Sequence, residues 1–245
     1  MQFRPTRTAE RSRNLLLNGL EPRDSATLLE GAEPVTLELR RVLYAPNEPI
    51  GHVYFLNNAV ASIIAPIGNG GGVEIGTIGN EGLVGLPLLF GVDREPAHAI
   101  VQIADGGVRI PAASFQEIVS RRATIRTRLL RYAQSYVSQV SQSSACNRVH
   151  SIGERCARWL LMTHDRVGAD VFPLTHEFLA LMLGVRRAGV TVAAGTLQKA
   201  GVIEYKHGHM RIVDRTGLQG FSCPCYRIIR DGYASLHHPE TAARA

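Results

Sequence analysis

Short, partly alternating apolar runs fill the first half of the chain, at residues 35–39, 42–44, 52–55, 59–64, 73–78, 99–103 and 108–110. Pro46, Pro49, the pair Asn57-Asn58 and a glycine-rich stretch at 68–72 interrupt them. Strands of this length and spacing predict a sandwich or small barrel, with room inside for one small ligand or only for its own side chains. After the barrel the period changes. Ser114 and Glu117 stand at capping-box spacing and predict the start of a long helix. Along it Ile125, Leu129, Tyr132, Ala133, Tyr136, Val137 and Val140 recur at intervals that suit packing on another helix or on a second copy of itself. Ser151 and Glu154 repeat the box and open a further helix, with Ile152, Cys156, Trp159, Leu160 and Thr163 on one face and Gly168 at its end. A hinge is therefore expected at residues 147–150.

Residues 173–201 predict two short helices joined by a tight turn, the helix-turn-helix pattern. Thr175 is placed to cap the first helix, and Glu177 lies in its first turn, where the helix dipole favours negative charge. Gly184 provides the turn. Leu179, Leu183, Val185, Val190 and Ala193 face a shared core, which leaves Arg186, Arg187 and Thr191 on the open side at the start of the second helix. That is where a recognition helix meets base edges, and a guanidinium fork matches guanine O6 and N7. Two adjacent arginines on a helix are also a common solvated face. The next segment of chain favours the DNA reading: strands at 202–206 and 210–213 around His207-Gly208-His209 form a wing, whose tip carries Lys206, His207 and His209 toward phosphate.

Charge sharpens this picture. Residues 25–117 hold four arginines against ten carboxylates, whereas residues 118–153 hold six arginines and no carboxylate. An anionic polymer would be steered to the second half. The chain of 245 residues is long enough for two cores. No apolar stretch is long enough to span a bilayer, and the polar start at residues 1–7 lacks a secretory h-region, so no membrane association and a cytoplasmic location are expected. Four cysteines, at 146, 156, 223 and 225, make no disulfide framework. Cys223 and Cys225 with His237 and His238 match no zinc spacing, so a packed tail without metal is expected there.

Barrel, long helix and winged helix-turn-helix, in that order over residues 14–213, resemble the Crp/Fnr family of bacterial transcription regulators. The most specific local match is Gly184-Val185-Arg186-Arg187-Ala188-Gly189-Val190, which looks like the family's Gly-Cys-Ser-Arg-Glu-Thr-Val. The resemblance implies an α+β fold. A double-stranded β-helix (jelly-roll) sensor would occupy 14–113, a dimerisation helix and hinge 114–150, the winged domain 151–217 and a tail 218–245. It implies a homodimer on palindromic double-stranded DNA, an unidentified effector, and RNA polymerase as a further partner if the protein activates. Arg187 matches the family's base-reading arginine. Ala188 replaces a glutamate and Val192 replaces a second base-contacting arginine of a relative, so the operator should differ.

The sensor departs further from the family pattern. Members that bind cyclic AMP use Gly-Glu-Leu and Arg-Ser/Thr-Ala segments, but the like-placed residues here are Gly82-Leu83-Val84 and Ala97-His98-Ala99. Cyclic AMP in the usual mode is not expected, and Glu81, Gly82, Leu83 and His98 are the candidate effector residues. An iron–sulfur sensor is not expected either, because no cysteine precedes Cys146. A metal-dependent enzyme of the double-stranded β-helix (cupin-like) type is the alternative, although the barrel offers it only His52 and His98.

Overall fold

The computed structural model describes residues 12–68 and 71–237, so the expectations for residues 1–7 and for His238 lie outside the described residues. Two short helices, α1 (Leu15–Asn18) and α2 (Pro22–Leu28), lead into the barrel. Its strands are β1 (Glu33–Leu37), β2 (Val42–Tyr44), β3 (His52–Leu56), β4 (Val60–Pro66), β5 (Gly72–Ile78), β6 (Leu83–Val84), β7 (His98–Ile103) and β8 (Asp105–Pro111). They form two antiparallel four-stranded sheets, ordered β1-β8-β3-β6 and β2-β7-β4-β5, as in a jelly roll. The expected α+β class holds. Strand β4 does not alternate: Val60 through Ile64 are all buried. Its outer face is covered, since Ser62 Oγ lies 3.3 Å from Met182 Sδ of the second domain.

The long helix is two helices. α3 (Ala112–Arg121) begins directly after Pro111, so Ser114 lies inside the first turn and caps nothing, contrary to the Ser114–Glu117 expectation. Arg122 then adopts an extended backbone (φ −115°, ψ 95°) before α4 (Ala123–Val149). The apolar stripe of α4 packs on another helix of the same chain, one of the two expected uses, and on the barrel as well. Ile125, Leu129, Tyr132 and Ala133 are fully or nearly fully buried against their own chain, while Leu130 (43% exposed) and Val137 (51%) remain open.

The second capping box is present in both halves: Ser151 Oγ accepts from the Glu154 N–H, and the Glu154 carboxylate accepts from the Ser151 N–H. It opens α5 (Ile152–Val167), the central helix of the second domain. Strand β9 (Val171–Pro173), helices α6 (His176–Leu183) and α7 (Arg187–Lys199), and strands β10 (Ile203–Lys206) and β11 (His209–Ile212) follow. The wing sheet has order β10-β11-β9 and so gains a strand that the sequence reading left as a connection.

Residues 218–245, expected as a packed tail, hold most of α8 (Arg215–Phe221) and all of α9 (Cys225–His237). Tyr226, Ile229, Tyr233 and Leu236 are buried at helical intervals. Their helix lies against α4 and α5. The tail thus completes the core between the two domains.

Candidate nucleic-acid interface

Helices α6 and α7 meet at 109°, within the range of a helix-turn-helix. Thr175 caps α6 by accepting from the Phe178 N–H at 3.1 Å. Gly184 ends it in the left-handed region (φ 62°), where a side chain would be strained. Leu179, Leu183, Val190 and Ala193 are buried as expected, together with Ala180 and Leu197. Gly189 allows a close approach, since a Cβ there would sit 3.0 Å from Ile152 Cδ1 of α5.

Arg186 is the N-cap of α7 and Arg187 its first residue. Both are exposed, and neither side chain makes a hydrogen bond or an ion pair with the described residues. Thr191 is exposed too, but its hydroxyl donates to the Arg187 carbonyl (3.1 Å) and lies 3.2 Å from His176 Nδ1. His176 in turn stacks on Tyr205 with ring centroids 4.2 Å apart. Burial first, and the Arg187 charge second, hold this imidazole below its usual pKa. His176 and Tyr205 were missed by sequence reasoning. They lock α6, α7 and the wing into one unit, and a ring on each of two adjoining elements was the signal available. Val192, 71% exposed on α7, offers an apolar group of the kind that contacts a thymine methyl.

The wing turn is tighter than read from the sequence. Lys206 pairs with His209, leaving only His207 (φ 50°) and Gly208 (φ 78°) in the turn, the positive-φ pair of a two-residue hairpin. Lys206, His207 and His209 are all exposed at this tip. Thr175, Arg186, Arg187, Thr191, Lys206, His207 and His209 are thus all exposed on one domain.

The candidate effector residues lie on different elements. Glu81 is buried and ion-paired with Arg166 of α5 at 2.8 Å, and it also accepts from the Gly79 N–H at 3.1 Å. Gly82 is pressed by Tyr132, whose hydroxyl donates to the Leu83 carbonyl at 3.2 Å. His98 sits on β7, in the other sheet. The loop before β6 turns toward the second domain, where Glu81 meets Arg166. Glu81 also lines a cavity of about 500 Å³ at the domain junction, with Arg166, Tyr226 and Tyr233. His52 and His98 lie in different sheets. Among the described residues, the His and Cys side chains close enough to share an ion lie at the end of α4 and not in the barrel.

The two domains touch through more than this ion pair. Glu74 of β5 accepts from Ser62 Oγ (2.7 Å) and from Trp159 Nε1 of α5 (3.0 Å). Burial raises its carboxyl to about 7, against the opposing pull of those hydrogen bonds and of Arg158 and Arg166.

Residues 154–221 match the model of the Crp-like helix-turn-helix domain. No curated protein sequence matches the chain. Among solved structures, FixK2 from Bradyrhizobium japonicum is 15% identical with a TM-score of 0.67, over 78% of this chain and 98% of its own. The c-di-GMP-responsive global regulator CLP of Xanthomonas campestris is 16% identical with a TM-score of 0.63, over 78% and 99%. A CRP-family transcriptional regulator from Thermus thermophilus, TTHB099, is 16% identical with a TM-score of 0.61, again over 78% and 99%. Residues 154–221 thus carry a Crp-like helix-turn-helix domain, and the chain as a whole shares its fold with these solved structures.

Proposed function

We propose that the protein is a homodimer that reads a palindromic operator with one α7 per half-site and answers to a small-molecule effector. The observation that carries this reading is the pair of exposed guanidinium groups at the start of α7, beside a wing tip of Lys206, His207 and His209. Arg187 donates to a guanine edge, and the wing meets phosphate. Two-fold symmetry places successive recognition helices about 34 Å apart along the duplex.

The dimer forms through the outward side of α4. Leu130 and Val137 are exposed there, and Val137 shares an apolar groove of about 290 Å³ with Phe90 and Val92 of the barrel. An apolar patch next to a long helix is a common mark of a subunit contact. The effector occupies the junction cavity, whose volume suits a small ligand. Cyclic AMP in the family's usual mode is not that effector, since Glu81 is committed to Arg166 and no arginine stands at positions 97–99. The protein acts in the cytoplasm, where its operator lies, and RNA polymerase is its partner if it activates. No single described helix is long and apolar enough to cross a membrane.

Selection of bound duplexes from a random pool, followed by sedimentation of the complex, tests the reading. A two-fold symmetric site bound by two chains supports it. Failure to enrich any site, or a single chain on an asymmetric site, would overturn it.

A further inference from the structure

Cys146 lies in the last turn of α4 with His150 just past its end, and Cys223-Pro224 in the link after α8 leads into Cys225, the first residue of α9. The fold brings all four together. Cys146 Sγ lies 3.4 Å from Cys223 Sγ, and Cys225 Sγ lies 3.6 Å from His150 Nδ1. All four ligand atoms lie within 4.8 Å of one another. The three cysteines are buried, at 0, 1 and 2% exposure, in a small cluster apart from the main core. We propose that Cys146, His150, Cys223 and Cys225 bind one zinc ion, in a site that joins the end of the long helix to the helix following the wing.

The geometry is close to what the ion requires. Zinc bound to sulfur at about 2.3 Å in a tetrahedron has ligand atoms about 3.8 Å apart along each edge. Three thiolates and one imidazole form a recognised closed, structural donor set. On binding, zinc takes four electron pairs, three thiols release three protons, and the imidazole coordinates in its neutral form. The resulting net charge of −1 has compensation nearby: Arg158 acts on Cys146 and Cys223, and Arg155 interacts with the same two thiols. Gln142 Nε2 also donates to Cys225 Sγ at 3.1 Å, the type of outer hydrogen bond that orients a ligand.

Two plainer readings explain less. A disulfide between Cys146 and Cys223 would use two of the four groups and leave Cys225 and His150 unaccounted for. Simple apolar burial is what Cys156 shows, packed among the aliphatic side chains of the main core with its thiol pushed up to about 12 by burial. The Cys146 cluster has sulfur and imidazole for neighbours instead. A multi-iron cluster needs its ligands spread around a wider core than this compact set provides.

Metal content of the full chain, purified without chelator and with reductant, provides the test. About one zinc per chain is expected, with Cys225→Ser losing it and Cys156→Ser keeping it. If Cys225→Ser does not fold, titration of the wild-type protein with a mercurial should release zinc in step with three modified thiols. Cobalt(II) added to metal-free protein should give the intense visible bands of a tetrahedral site and a thiolate charge-transfer band. Three results would each overturn the proposal: metal far below one per chain with no cobalt spectrum, iron with acid-labile sulfide, or a freshly purified mass lower by two hydrogens with both Cys146 and Cys223 unreactive.

Discussion

The candidate recognition surface and the domain junction are built in opposite ways. Arg186, Arg187, Lys206, His207 and His209 come from one stretch of chain, and their positions follow from local turns and caps. The junction is assembled from distant pieces: Glu81 meets Arg166, Glu74 meets Trp159, and Cys146 meets Cys223. On the open side of α7, Arg186 and Arg187 make no hydrogen bond or ion pair with the described residues, whereas every charged group named at the junction has found a partner. Changes on the first surface should therefore alter binding and spare stability. Changes in the second should do the reverse.

The largest effect is expected at the junction. Arg166 and Glu81 are 6% and 8% exposed at the side chain, and Arg166 also donates to Gln139 Oε1 (2.9 Å) and to the Met162 carbonyl (3.0 Å). Arg166→Ala strands a buried carboxylate and should cost about 3–5 kcal/mol of stability in urea unfolding. A loss below about 1 kcal/mol would mean that the junction is looser than its hydrogen bonds imply.

Next is Arg187→Ala. It should weaken the selected operator by about 1–3 kcal/mol and relax preference at one base pair, with the unfolding midpoint unchanged. Lys206→Ala gives the sharper contrast: all sequences weaken alike, and the salt dependence of log K flattens by about one unit. A mobility-shift titration in which Arg187→Ala binds operator and random duplex as the wild type does would remove Arg187 from the interface.

Glu74 makes the junction sensitive to pH. Its carboxyl titrates at about 7 when docked against 4.5 ordinarily, so the docked state holds a proton more tightly between those values. The contact is strongest below the ordinary value, weakens as pH rises through that window, and reaches its weaker plateau above about 7. The groups facing it are Ser62, Trp159, Arg158 and Arg166. Glu74→Gln should flatten the thermal-unfolding profile between these limits by on the order of 3 kcal/mol. An unchanged slope would place the titration elsewhere.

The smallest effect separates two glycines on α7. A Cβ at Gly195 meets open space, whereas one at Gly189 meets Ile152. Gly195→Ala should stabilise the fold by about 0.5–1 kcal/mol, and Gly189→Ala should not. Calorimetric melting of the two variants checks this.

These contrasts also explain what the sequence made legible. The barrel strands, the Ser151–Glu154 box and the helix-turn-helix are written in neighbours: alternation, a cap three residues before its partner, a glycine at a left-handed turn. The expected box at Ser114 failed because Pro111 already starts α3, and an acceptor pair inside a helix looks the same in sequence as one at its edge. The stripe on α4 was visible, but its partner was not. Its apolar residues pack on the barrel and on α9, where Tyr226, Ile229, Tyr233 and Leu236 recur at helical spacing in a segment that by its place after the wing reads as a tail. The effector residues were grouped by likeness to segments of other proteins, and the chain uses Glu81 for another purpose. The four sulfur and imidazole ligands lie beyond any local spacing rule, because 77 positions separate Cys146 from Cys223.

Gly184 has one more consequence. Besides its left-handed backbone, a Cβ there would stand 2.8 Å from Val73 Cγ2 on the barrel strand. The corner of the helix-turn-helix thus rests against the barrel with no side chain as a spacer, like a door closed flush on its frame. Any group larger than hydrogen at this position would act as a wedge, and any sideways drift of the strand would press on the helix-turn-helix without passing through a flexible link.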